Sequence, residues 1–239
     1  MIAHHHYEGK CLYTYRHRQP VLIMALSNYV FNLAYTALWL LIGASAAVSS
    51  QRVCTVESFE AILADIDQAT SVNYAESVPQ GGSFGDADTN LAIPINATDL
   101  PQLCAVSIHI VSSPTSSFNF AVFLPQSWNG RILTTGNGGL GGGINFVDMG
   151  RFSYYGFATV STDTGHSSNP VDGSWAFNQP EKMVDWGWRA MHGSVVTAKQ
   201  IVNAYCGRSL EYSYYVSCST GRDTLQLWPS AHRLPAELH

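Results

Sequence analysis

The chain has 239 residues, 46% of them hydrophobic and 12% charged, with a formal net charge of −5. That length and apolar content can bury a core and exclude a disordered chain, while 20 glycines and 12% aromatic residues exclude a coiled coil. No basic stripe exists to neutralise phosphates, which excludes a nucleic-acid partner.

Residues 1–46 read as a leader. Lys10, Arg16 and Arg18 precede an apolar run from Tyr29 to Val48 that ends in Ala44-Ser45-Ala46, the pattern of a secretory signal peptide. Translation is expected to begin at Met24, with residues 1–23 a spurious extension of the gene. An uncleaved signal anchor is the alternative, and only then would the membrane be a partner. Export places Cys54, Cys104, Cys206 and Cys218 in an oxidising compartment, and their spacing fits no zinc site. A Cys54–Cys104 bridge would tie the mature N-terminus to the first strand region, at about 4 kcal/mol in the chain-entropy model. Asn96-Ala97-Thr98 is a glycosylation acceptor.

Phe59, Ile62, Leu63 and Ile66 recur at helical spacing, predicting a helix over 58–70 capped by Ser58. Residues 77–101 are rich in Pro, Gly, Asp, Asn and Thr and read as a surface segment. Val106 to Val111 alternates as a strand with His109 on its solvated face, followed by strands over 118–124 and 131–135 joined through a turn at Trp128-Asn129-Gly130. The cluster Gly136-Asn137-Gly138-Gly139-Leu140-Gly141-Gly142-Gly143 lacks the Lys-Ser/Thr of a phosphate loop, and no dinucleotide-binding unit surrounds it. Its place after an early strand suits an oxyanion loop.

A buried strand is predicted over 156–161. In the loop that follows, Asp163 and His166 are expected to make local turn bonds instead of relaying protons. Pro180 to Tyr205 reads as one continuous helix, with Val184, Trp188, Met191, Val195, Ala198 and Val202 on its apolar stripe and Gly207 as its stop. Asp185 and Arg189 are expected to pair on its surface, Trp186 and Trp188 to pack between helix and sheet, and His192 to serve as a structural donor. Strand, helix and strand in succession predict a mainly parallel α/β sheet. The strand 211–216 then runs into Val216-Ser217-Cys218-Ser219-Thr220-Gly221. A serine between small residues after a strand fits a nucleophile elbow, in which a sharp turn presents the hydroxyl; taken alone, it also fits an ordinary turn.

The succession Gly136 to Gly142, Thr162-Asp163-Thr164-Gly165-His166, Asp185-Trp186-Gly187-Trp188-Arg189-Ala190-Met191-His192 and Cys218-Ser219-Thr220-Gly221 resembles the fungal tannase and feruloyl esterase family of secreted serine hydrolases. The resemblance spans about Cys54 to Gly221. It implies an α/β-hydrolase fold, of which 47–221 would be the N-terminal part, acting on esters of aromatic acids. Ser219 would be the nucleophile, with the backbone N–H groups of Thr220 and of Gly138 or Gly139 holding the oxyanion. Cys218 would form a disulfide to a cysteine beside the catalytic histidine. Catalysis would need no cofactor, and a structural calcium would sit in the family's inserted lid.

Two departures stand out. The family usually has Gly-Cys-Ser-Thr-Gly-Gly-Arg-Gln at the elbow, whereas this chain has Ser217 before the cysteine and passes from Gly221 directly to Arg222-Asp223. Leu225 to Pro229 still resembles the following helix, but Ser230 to His239 resembles nothing, so 222–239 reads as a divergent tail from which His232 and His239 are not expected to supply a base. Well under half of a family member is covered. The strands for the catalytic aspartate and histidine, the partner of Cys218 and the lid are expected to be missing, which would leave the polypeptide unstable and silent when made alone. A non-catalytic remnant of the same fold is the alternative function.

Overall fold

The computed structural model describes residues 53–64, 66, 70–85 and 96–221. The expected leader, its cleavage site and the tail 222–239 lie outside the described residues. Six strands form one sheet in the order β1-β4-β5-β7-β6-β8: β1 (Thr70–Val78), β4 (Leu103–Ser113), β5 (Ser116–Pro125), β7 (Ala158–Thr162), β6 (Arg131–Thr135) and β8 (Tyr212–Val216). β2 (Gly82–Gly85) and β3 (Asn96–Leu100) make a separate two-stranded sheet.

Two alternating residue sets explain why β4 and β5 lie at the centre of the fold. Val106, Ile108 and Ile110 of β4 and Phe118, Phe120, Val122 and Leu124 of β5 point to one face, where helices α1 (Val56–Leu63) and α4 (Ala190–Cys206) cover them. Leu103, Ala105, Ala121 and Phe123 point to the other, under helix α2 (Phe146–Ser153) and the β2–β3 pair. Each fully buried side chain of this kind stabilises the fold by about 1.5–3 kcal/mol.

The sheet is mixed, not mainly parallel. β1, β4, β5 and β7 pair antiparallel, while β7–β6 and β6–β8 are parallel. The short turn at Pro114-Thr115 allows β4 and β5 to form a hairpin, and parallel pairing starts where helical crossovers are available. From β6 the chain crosses through α2 to β7 on one side, then returns past β6 through α4 to β8 on the other. Right-handed crossovers in opposite directions place α2 and α4 on opposite faces. The carboxyl end of β6 is therefore a topological switch point, where α/β folds place their ligands.

Several expected boundaries shift. Thr55, not Ser58, caps α1, its side chain accepting the Ser58 N–H at 3.4 Å, and the helix ends at Leu63. β1 and the β2–β3 pair were not foreseen in their segments. β7 begins at Ala158, because Gly156 is a turn residue with φ +79°. His109 lies on the face opposite Ile108 and Ile110 as expected, but it is partly buried and its Nδ1 is 3.0 Å from Asn119 Oδ1. Cys54 and Cys104 form the expected disulfide.

The long helix is broken. α3 (Pro180–Val184) passes into a π-turn over Asp185–Arg189 before α4, which ends at Gly207 with φ +65°. Asp185 and Arg189 do pair, but Asp185 is fully buried and also accepts hydrogen bonds from Ser112 Oγ at 2.7 Å and from Ser116 Oγ. The Trp186 and Trp188 rings stay outside the core: Trp186 lies 5.8 Å from Trp175, and Trp188 lies 6.0 Å from His192.

Candidate active site

Three loops meet at the carboxyl edge of β6, β7 and β8. The first is the glycine cluster. Gly136 N–H donates to Val216 O at 3.0 Å, extending the β6–β8 pairing by one step, and Asn137 Nδ2 donates to Thr162 O at 3.2 Å. Asn137 Oδ1 is buried without a partner among the described residues. Beyond it the chain fastens onto the loop after β7. Leu140 N–H donates to Pro170 O at 2.8 Å, Gly142 N–H to Ser168 O at 3.2 Å and Gly143 N–H to Asp163 O at 3.3 Å, while Gly141 N–H closes onto Gly138 O at 3.2 Å.

Close backbone approach accounts for most of the glycines. A Cβ on Gly142 would strike the His166 carbonyl, and one on Gly139, which has φ +62°, would come within 2.5 Å of Pro170 O. Gly138 differs, because a Cβ there would meet nothing within 4 Å. The N–H groups of Asn137, Gly138 and Gly139 donate to no acceptor among the described residues.

The loop after β7 holds Asp163 and His166, and both make local bonds as expected. Asp163 Oδ1 accepts the N–H of Gly165 at 2.8 Å and of Asn119 at 2.9 Å, and its Oδ2 accepts Asn119 Nδ2 at 2.8 Å. Burial pushes its carboxyl up to about 6 against these donors. His166 is buried and stacks on Trp175 at 3.8 Å, and burial lowers its pKa.

The third loop is the elbow. β8 leads into Ser217, whose Oγ donates to Asn137 O at 3.3 Å, and then into exposed Cys218 and Ser219. Ser219 has φ +56°, a left-handed conformation that costs a non-glycine residue roughly 1–2 kcal/mol, and a helical turn begins at Thr220. Gly221 N–H closes the turn on Cys218 O at 3.3 Å, and Gly221 O accepts the Tyr215 hydroxyl at 2.6 Å. Burial pushes the Tyr215 phenol up to about 12, so it stays a donor. A Cβ on Gly221 would overlap both Ser217 Oγ and Asn137 O, which leaves glycine as the residue that fits there.

An exposed serine in a strained strand-to-helix turn, beside a loop with undonated N–H groups, is an arrangement able to present a hydroxyl to a carbonyl and donors to its oxygen. Residues 103–237, more than half of the chain, match the model of the tannase and feruloyl esterase family. The chain belongs to that family. Probable feruloyl esterase B-1 of Aspergillus fumigatus is 37% identical over 134 residues, 56% of this chain and 25% of that protein. Feruloyl esterase C of Talaromyces stipitatus is 36% identical over 152 residues, 63% of this chain and 28% of that protein.

The solved structure of feruloyl esterase B from Aspergillus oryzae superposes with a TM-score of 0.61 at 32% identity, covering 76% of this chain and 35% of that one. Tannin acyl hydrolase from Aspergillus niger gives 0.54 at 21% identity over 70% of this chain and 32% of that one, a likeness of fold. Part of the α/β-hydrolase fold expected of a tannase and feruloyl esterase family member is thus present, and the chain spans about a quarter to a third of the length of these relatives.

Other residues singled out in the sequence lie elsewhere. Asn96 is exposed at the start of β3, His192 is half-buried on α4 and Cys206 is buried at its end. Cys218 is disulfide-bonded to a residue outside the described ones, while the cysteine that the family resemblance pairs with it, beside the catalytic histidine, is expected to be missing from this chain. Among the described residues no three His, Cys, Asp or Glu side chains converge. Sequence reasoning missed Asn137, Tyr215 and Trp175. An asparagine inside a glycine run was the one signal available for the first.

Proposed function

We propose that this chain carries the nucleophile and oxyanion portion of a secreted serine esterase acting on esters of hydroxycinnamic or gallic acid. The observation that carries the reading is Ser219, held at φ +56° directly after β8 and next to the glycine loop. In this reading the Ser219 hydroxyl attacks the ester carbonyl while a histidine takes its proton. The oxyanion is held by the N–H of Thr220 and that of Gly138 or Gly139, the alcohol leaves, and water releases the acid from the acyl-enzyme. The base and its aspartate are assigned outside the described residues. Membership of a family that includes the feruloyl esterases named above supports the substrate class, and the Cys54–Cys104 disulfide supports an oxidising destination.

The test is a graft of residues 103–221 in place of the matching segment of Aspergillus oryzae feruloyl esterase B, assayed on methyl ferulate and methyl gallate. Hydrolysis that falls by at least about 10⁴-fold in Ser219→Ala is expected. A folded graft whose activity survives Ser219→Ala would refute the assignment.

A further inference from the structure

The Leu140 carbonyl accepts three side-chain hydrogen bonds: from His166 Nε2 at 3.1 Å, Trp175 Nε1 at 3.1 Å and Ser168 Oγ at 3.2 Å. A carbonyl can only accept, so His166 carries its proton on Nε2. The imidazole is buried and lies face to face with the Trp175 ring at 3.8 Å and 19°, with its Nδ1 3.5 Å from Thr164 Oγ1. Leu140 itself is exposed, so nothing in its own side chain would hold this carbonyl in place.

Leu140 sits at the point where the glycine loop divides. Before it, Asn137, Gly138 and Gly139 keep their N–H groups undonated; from it onward, four successive N–H groups are engaged. Glycines lose the most conformational freedom when ordered and contribute no side chains, so the shape of the loop rests on hydrogen bonds to its backbone.

We infer that His166, together with Trp175 and Ser168, is a positioning residue for the oxyanion loop: through the Leu140 carbonyl it holds the Gly138–Gly139 peptides in the shape that leaves their N–H groups available. The inference rests on the esterase reading above for its purpose, but its geometry can be tested separately. His166 touches no reacting atom. It acts on the reaction through the backbone, as preorganised donors require.

Leu140-Gly141 is the single Leu-Gly step in the sequence. Labelling the full chain with leucine carrying ¹³C at its carbonyl and with ¹⁵N-glycine therefore gives one carbonyl-to-amide cross-peak, which reports this carbonyl directly. His166→Phe keeps a ring on Trp175 but removes the donor, and His166→Gln supplies an amide donor without a ring. The Leu140 carbonyl resonance is expected to move upfield in His166→Phe and to stay near the wild-type position in His166→Gln. Exchange of the Leu140 and Gly142 amides should rise roughly five- to tenfold in the Phe variant, the worth of one such bond, while β5 amides stay protected.

If His166→Phe fails to fold, Trp175→Phe and Ser168→Ala each remove one donor, and the same upfield shift is expected. A resonance unmoved by all of these variants, or held by Phe and moved by Gln, would overturn the inference. The same spectra recorded on the Ser219→Ala chain are expected to be unchanged, so failure here is distinguishable from failure of Ser219 as the nucleophile.

Discussion

Ser217 Oγ reaches the carbonyl oxygen of Asn137 at 3.3 Å, which joins the turn that bears Ser219 to the glycine loop. The family's usual glycine at this position cannot make that bond. Gly221 sits against the same two groups, so a methyl there has nowhere to go. Gly221→Ala is expected to lower stability by about 1–3 kcal/mol through overpacking. Adding Ser217→Gly removes one of the two obstacles and should recover part of the loss, a coupling that a double-mutant cycle by chemical denaturation would measure.

The strain at Ser219 gives a second expectation of opposite sign. Glycine adopts φ +56° without penalty, whereas alanine does not. Ser219→Gly should therefore raise stability by about 1 kcal/mol relative to Ser219→Ala, even though neither variant can form an acyl-enzyme. Equal melting temperatures for the two would show that the turn is not strained.

How much of this could be read in advance differs by element. β6 falls at residues 131–135 as its apolar run and flanking turn indicate, and Gly207 ends α4, because both signals are local. β1 was overlooked: its residues alternate weakly, since it pairs only with β4 in the sheet and none of its residues before Val78 is fully buried. The π-turn was hidden because one extra residue in a single turn barely alters an apolar stripe carried over the 26 residues from Pro180 to Tyr205. The depth of Asp185 was not legible either, because Ser112 and Ser116, which satisfy it, lie about seventy residues earlier in the chain. At the site, the motif order gave Ser219 and the glycine loop, but the glycines serve mostly to pack against the loop after β7, with Gly138 the open one.

Asp185 is a buried carboxylate with two serine donors and the Arg189 guanidinium, which also reaches Glu181 Oε2 at 2.8 Å. Asp185→Ala strands the guanidinium at its buried end and frees two hydroxyls, so it should cost about 3–5 kcal/mol. The same measurement on Glu181→Ala, where the carboxylate is exposed, should show no more than about 1 kcal/mol.

Asp163 sets a pH dependence. Its carboxyl is held at about 6 in the folded chain by burial, above its value in an unfolded chain of 3.8. The folded state then binds the extra proton between those values, so this contribution to stability is complete below about pH 4 and is lost as the pH rises through about 6. Urea titrations across that window should show stability falling with pH on this account by up to about 3 kcal/mol, and Asp163→Asn should flatten the slope. A slope that is unchanged in Asp163→Asn would assign the effect to another group.

The central claim is that Ser219 becomes acylated, and the most direct measurement is its covalent capture. The graft carrying residues 103–221 is treated with a fluorophosphonate, which loses fluoride when a serine oxygen attacks phosphorus, and the product is digested and mapped by mass spectrometry. The account predicts one adduct, on the peptide containing Cys218-Ser219-Thr220-Gly221, and none in Ser219→Ala. An adduct on another peptide, or one that persists in Ser219→Ala, would contradict it.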